Sequence, residues 1–202
     1  MKRLAILGAS GHGKVVADAA ELSGWSEVVF FDDAWPECSV NSAWPVLGKT
    51  IDLLACLDQF EGVVVAIGDN AIRLKKLIML REHGAILFSI VHPQAVVSRC
   101  SHIDVGSVVL AGVVINADAR IGMGAILNTG CSVDHDCLLA DAVHISPGAR
   151  LAGGVNVDQC AWIGMGAVVT KDVPPDTVVT GVPAKPKYSR NEYDKKQTEW
   201  KN

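Results

Sequence analysis

The sequence predicts two architectures in one chain: a small α/β, Rossmann-like domain over residues 1–92 and an all-β parallel β-helix over residues 93–185, with a polar tail at 186–202. Three observations carry this. Short apolar runs alternate with amphipathic stretches in the first part, a glycine-rich turn follows the first of those runs, and an unbroken six-residue period fills the second part.

The first part opens on a buried strand, Leu4–Leu7, which leads into Gly8-Ala9-Ser10-Gly11-His12-Gly13-Lys14 and a helix to about Leu22, with Gly24 as its stop. Val28–Phe31 reads as a second strand ending at Asp32-Asp33, and Val63–Gly68 as a third. Asn70 is placed to cap a helix that carries Leu74, Leu77 and Ile78 on one face and stops at Gly84. Ala85–Val91 reads as a fourth strand, and the boundary falls near His92-Pro93. Strands alternating with helices give a parallel sheet.

From Val97 the chain divides into thirteen hexads, each beginning with Val, Ile or Leu, through VTKDVP. The fifth position is small or β-branched throughout, from Ser101 to Val173. A period of six suits neither a helix nor an isolated amphipathic strand. It suits a three-sided solenoid whose coils stack their aliphatic side chains on one another.

Half of the 202 residues are hydrophobic, a fifth are charged and the net charge is −4. This is a globular composition without the basic stripe that nucleic acid requires. No apolar run reaches membrane-spanning length and the first residues lack a signal-peptide core, so a cytoplasmic protein without a membrane partner is expected. The six cysteines form no C-x-x-C pair and read as small buried thiols of a reducing compartment.

The glycine turn is G-x-x-G-x-G rather than the dinucleotide fingerprint G-x-G-x-x-G. Gly8 to Lys14 fits G-x-x-x-x-G-K, but Val15 stands where a P-loop places the magnesium-binding hydroxyl. What survives is close backbone approach and a helix N-terminus, both suited to phosphate, or else only a tight turn. Asp32-Asp33 is placed near a ribose or base, or forms a solvated acidic loop.

GASGHGK, FDD, AIGDN, LNTG, VDHDC, AVHISPGA and GVPAK, in this order, resemble the hexapeptide-repeat acetyltransferases that acetylate the amine of UDP- or GDP-linked amino-dideoxy sugars, with sialic acid O-acetyltransferases as relatives. The resemblance implies a left-handed β-helix, a homotrimer with sites between prisms, and acetyl-CoA as co-substrate. It implies His135 as general base and Asp136, where Glu is common, as its enhancing acid. It places His144, Gly153, Gly164, Met165 and Lys185 along acetyl-CoA, with Ser10, Gly11, His12, Asp32, Asp33, Gly68 and Asn128 on the nucleotide sugar. Histidine, with a pKa near 6.5, suits removal of the proton from a sugar ammonium. Cys131 and Cys137 fall at the inward fifth position, so direct attack on the thioester is expected rather than an acyl-enzyme.

Two other readings stay open: sugar O-acetylation by the same histidine, and a non-catalytic hexapeptide scaffold. No metal is expected. The prism-shaped carbonic anhydrases need three converging histidines, and His102, His135 and His144 occupy hexad positions six, three and six.

Overall fold

The computed structural model describes residues 2–189. Strand β1 (Arg3–Leu7) pairs in parallel with β2 (Glu27–Phe31) through the crossover helix α1 (Gly11–Leu22). A short antiparallel hairpin follows, β3 (Val40–Asn41) and β4 (Trp44–Pro45), then helix α2 (Thr50–Leu54). Strand β5 (Gly62–Val65) completes a parallel sheet of order β2-β1-β5. The runs LAIL, VVFF and VVV are buried, as expected of parallel strands covered on both faces.

Helix α3 (Asn70–Glu82) is capped by Asp69, whose Oδ1 accepts from the Ile72 amide at 2.9 Å, and not by Asn70. Asn70 is instead drawn fully inside. The expected fourth strand is divided. Leu87 makes one parallel bridge to Val63, whereas Ile90–Val91 pairs with Val108–Val109 of the solenoid. This segment therefore passes from one sheet to the other, and the solenoid's first strand starts at Ile90.

Every first-position residue from Val109 to Val169 lies in one continuous core, with Val97 and Ile103 packed against its end. The strands form three parallel sheets, and residues eighteen apart are in register, as in Val97–Ile115–Val133–Leu151–Val169. The first sheet contains Ser132–Val133, the second Leu138–Leu139 and the third His144–Ile145. Fifth-position side chains from Ser107 onward are buried, and Ser101, in the first coil, is half-buried. The sixth position faces outward.

The fourth position has its own rule. Gly106, Gly112, Gly124, Gly130, Gly148, Gly154 and Gly166 turn the corners with φ between 66° and 74°. Asp118, Asp136, Ala142 and Cys160 take the same left-handed backbone at equivalent corners, with φ of 61°, 59°, 55° and 59°. Aspartate tolerates this region better than most residues.

The α/β domain sits on the third sheet. Its outward row runs Ile90, Val108, Ile126, His144, Trp162, Val178, and Ile90 and Val108 are buried with Val16, Ala17 and Ala20 of α1. Helix α3 lies along the edge between the second and third sheets. Leu77 occupies the space that a Cβ at Gly106 or Gly124 would fill, and packs with Met123, Ala142 and Cys160. Truncating so enclosed a leucine to alanine costs about 2–5 kcal/mol. At the far end, Lys185–Ser189 pairs antiparallel with Thr177–Thr180, so the first tail residues extend the third sheet. The tail from residue 190 lies outside the described residues.

Candidate active site

His135 stands in the turn between the first and second sheets. Asp136 follows it at the left-handed corner, and its Oδ2 lies 2.7 Å from His135 Nδ1. Asp134 accepts from the His135 amide at 2.8 Å and from Asn116 Nδ2 at 2.8 Å, which holds the turn from its other side. With Nδ1 taken by Asp136, Nε2 remains for solvent or a ligand, and the side chain is 63% exposed. The Asp136 hydrogen bond, followed by the charge of Asp134, raises the His135 pKa above the ordinary 6.5. One coil further on, Gly153 lies against the imidazole. A Cβ there would come within 2.6 Å of the ring, so the absence of a side chain makes room for His135.

The glycine loop lies beyond the carboxyl ends of β1 and β5, where open parallel sheets bind ligands. Gly8 has φ 112° and passes within reach of Ala66, while a Cβ on Gly13 would strike the Gly8 carbonyl. Asn41 of the hairpin, buried, donates to the Ser10 carbonyl at 3.2 Å and steadies the loop from above. Ser10 is the N-cap of α1 but makes no side-chain cap bond, and the first turn carries no acidic residue. The first-turn amides and the positive end of the helix dipole therefore suit an anion. His12 is half-buried within this turn, its buried Nε2 is without a hydrogen-bond partner, and burial followed by the nearby Arg73 charge lowers its pKa to about 4.

Neither aspartate of the FDD segment presents a free carboxylate. Asp32 accepts from the Ala9 amide at 2.7 Å and from the Ala34 amide at 2.9 Å, locking the glycine loop to the end of β2. Asp33 accepts from the Thr50 amide at 2.9 Å and from Lys76 Nζ at 3.0 Å. Although burial pushes its pKa up, the Thr50 and Lys76 bonds bring it down to about 2. The expected contacts of these carboxylates with ribose or base must compete with bonds inside the protein.

A second cluster occupies the third sheet. The His144 ring stacks on Trp162 with centroids 5.2 Å apart and planes 8° off parallel. Trp162 Nε1 donates to Ser146 Oγ at 2.7 Å, and Asn128 Nδ2 lies 3.5 Å from His144 Nε2. A shallow pocket of about 270 Å³ runs past Ser146, Trp162, Gly164 and Met165 to Val178 and Thr180. Asn128, His144, Gly164 and Met165 are thus brought together on one side of the prism. His135 and Gly153 lie on the edge opposite that sheet. Lys185 lines a separate cavity of about 430 Å³ at the C-terminal end, together with Lys171.

The PglD N-terminal domain family matches residues 3–80. The acetyltransferase domain of PglB from Neisseria gonorrhoeae FA1090, also solved with acetyl coenzyme A, is 38% identical with a TM-score of 0.82; the match covers 93% of this chain and 100% of that one. A histidine-to-asparagine variant of perosamine N-acetyltransferase from Caulobacter crescentus, in complex with CoA and GDP-perosamine, is 38% identical with a TM-score of 0.83, over 93% and 98% of the two chains. WeeI from Acinetobacter baumannii AYE is 26% identical with a TM-score of 0.72, over 93% and 100%. The chain belongs to the hexapeptide-repeat nucleotide-sugar N-acetyltransferase family. It is an acetyltransferase, and acetyl-CoA is its co-substrate.

Burial pushes the Cys131 thiol up to about 12 and the Cys137 thiol above its ordinary value, so neither is suited to hold the acetyl group. Among the described residues, no group of three or more His, Cys, Asp and Glu is placed to hold a metal ion. No helix among them is long and apolar enough to cross a membrane. Asn41 and Arg73 contribute to the site region without a mark in the sequence, and the capping role belongs to Asp69, within AIGDN, rather than to Asn70. Only Asp69 had a local signal, being an N-cap residue directly before a helical run.

The glycines of the loop can be told apart by experiment. A Cβ on Gly11 meets nothing within 4 Å, and its φ is not positive, whereas Gly13 has no room for one. Gly11→Ala is expected to keep the parental melting temperature and to weaken binding of a nucleoside diphosphate by about tenfold, about 1.4 kcal/mol. Gly13→Ala is expected to destabilise the protein by about 1–3 kcal/mol, the scale of an overpacked core. Thermal melting and calorimetry separate the two. A Gly11→Ala variant with parental affinity would show that the loop is only a turn.

Proposed function

We propose that this acetyltransferase moves the acetyl group of acetyl-CoA to the amine of a UDP- or GDP-linked 4-amino-4,6-dideoxy sugar, in a site shared by two neighbouring chains of a cytoplasmic homotrimer. The observation that carries this reading is the geometry of His135. Its Nδ1 is tied to Asp136 at 2.7 Å and its Nε2 is left exposed, on the prism edge opposite the sheet that bears His144 and the α/β domain. A base that cannot meet the rest of the site within its own chain is suited to serve a neighbour's. The family resemblance implies the same arrangement, and the perosamine N-acetyltransferase from Caulobacter crescentus is in complex with CoA and GDP-perosamine.

In this reading the first-turn amides of α1, with Ser10, Gly11 and His12, receive the diphosphate, and Gly68 leaves open space beside it. The pantetheine arm follows the third sheet past His144, Gly164 and Met165 toward Lys185, with Asn128 beside the sugar. The sugar nitrogen attacks the thioester carbon, His135 Nε2 takes the proton from that nitrogen, and the carbon–sulfur bond breaks to release the CoA thiolate. Asp136 fixes the tautomer of His135 and stabilises its imidazolium. General-base assistance of this kind contributes about 10²–10⁴-fold. Donors near the developing oxyanion, for which the Gly153 backbone and His144 are the candidates, supply the rest.

The test is thiol release from acetyl-CoA in the presence of UDP- and GDP-linked 4-amino-4,6-dideoxy sugars, with the product examined by mass spectrometry. An N-acetyl product with one of these is expected. Acetyl transfer only to a hydroxyl of a sialic acid would replace this reading with the O-acetylation alternative.

A further inference from the structure

We infer that Arg73, supported by Asn70, is a positioning residue for acetyl transfer, fixing the nucleotide pocket to the part of the solenoid that carries His144. The inference rests on the pocket at the glycine loop being the nucleotide-sugar site. Arg73 is fully buried. Its Nε donates to the Gly124 carbonyl at 2.7 Å, and its Nη2 to the Ala142 carbonyl at 2.8 Å and to Asn70 Oδ1 at 2.9 Å. Its Nη1 donates to the Ile67 and Gly68 carbonyls at 2.9 and 3.2 Å. All five donors of the guanidinium are thus directed at oxygens, two in the pocket loop, two on solenoid corners and one on the Asn70 side chain.

Asn70 completes the connection. Its Nδ2 donates to the Cys160 and Ala161 carbonyls at 2.9 and 3.2 Å. The same Ala161 carbonyl accepts the His144 amide at 3.0 Å. The helix that follows the pocket loop and the backbone of His144 therefore share one acceptor, and Ala142, which Arg73 holds, lies two residues before His144. Adhesion between the domains is already provided by Leu77 and its apolar neighbours. A buried charge is an expensive way to add adhesion. A planar fork that satisfies carbonyls in both domains instead sets their relative position, and misplacing reacting groups by about 1 Å can cost about 10²-fold in rate.

Arg73→Lys tests this, because it keeps the charge and loses the fork. The full-length variant is expected to fold with a lowered melting temperature and to bind CoA within about twofold of the parent. Its kcat is expected to fall by about tenfold or more, a loss on the scale of misplaced reacting groups, with the KM for acetyl-CoA little changed. Hydrogen exchange should show lost protection at residues 67–69 and at His144. Should Arg73→Lys fail to fold, Asn70→Ala carries the same expectation with a smaller loss, since it frees α3 from Cys160 and Ala161 while leaving Arg73 its carbonyl partners. Unchanged kcat and unchanged protection in a folded variant, whatever its melting temperature, would overturn the inference. If the parent acetylates no nucleotide-linked amino sugar, the substrate reading fails, and the exchange measurement still decides whether the clasp exists.

Discussion

Replacing His135 with asparagine lowers turnover by about 10²-fold or more, the scale of a lost general base, while binding of CoA and of the nucleotide sugar changes little. Asparagine keeps a polar group at an exposed position, so melting should stay near the parental value. The same assay has a second expected result. Gly153→Ala puts a methyl group where the imidazole now lies, within 2.6 Å of the ring, and His135 must turn away from its bond to Asp136. Turnover should fall although the histidine is still present. The pH profile identifies the base independently. Only neutral His135 can accept the proton, so kcat/KM falls as pH drops through the folded pKa. That pKa is raised by Asp136 first and Asp134 next, and the acid limb of the parent therefore lies above 6.5. Asp136→Asn removes the larger cause and moves the limb to lower pH, with a weaker base and slower turnover on the plateau. A His135→Asn variant with near-parental turnover would remove His135 from the mechanism.

Two variants that are each inactive regain activity when mixed. His135→Asn spoils the prism edge, and His144→Ala spoils the third sheet on the opposite side of the same chain. If each site takes its base from one chain and its acetyl-CoA surface from the next, a mixed ring has one intact interface. In a mixed cyclic trimer of either composition one of the three interfaces is intact, so about one third of the parental activity returns. Co-expression with two affinity tags, followed by purification through both, isolates the mixed species for assay. Activity no greater than that of the separate variants would place both residues in one chain's site and refute the shared arrangement. A monomer by light scattering at micromolar concentration, fully active, would do the same.

The solenoid is the most legible part of the sequence. Its first- and fifth-position residues point into a core only a few side chains wide, so the constraint repeats at every coil and leaves a periodic trace. The corners leave one too, in the fourth-position glycines and aspartates, and Asp136 is one of them. Its place beside His135 therefore follows from the repeat as well as from the chemistry. The split of Ala85–Val91 was less legible, because an apolar run has the same composition whichever of two sheets it joins.

What the sequence by itself determined is local and periodic: the glycine loop before a helix, the eighteen-residue coil, the inward cysteines, and the acidic setting of His135. Each depends on residues adjacent in the chain or related by a fixed step. Only the tertiary structure decided the partners. Asp32 and Asp33 read as free carboxylates until the amides of Ala9, Ala34 and Thr50 and the ammonium of Lys76 are seen to occupy them. Arg73 leaves no mark in the sequence, because four of its five partners are backbone carbonyls. Every residue type carries such a carbonyl, so the sequence at 67, 68, 124 and 142 bears no mark of the arginine that joins them.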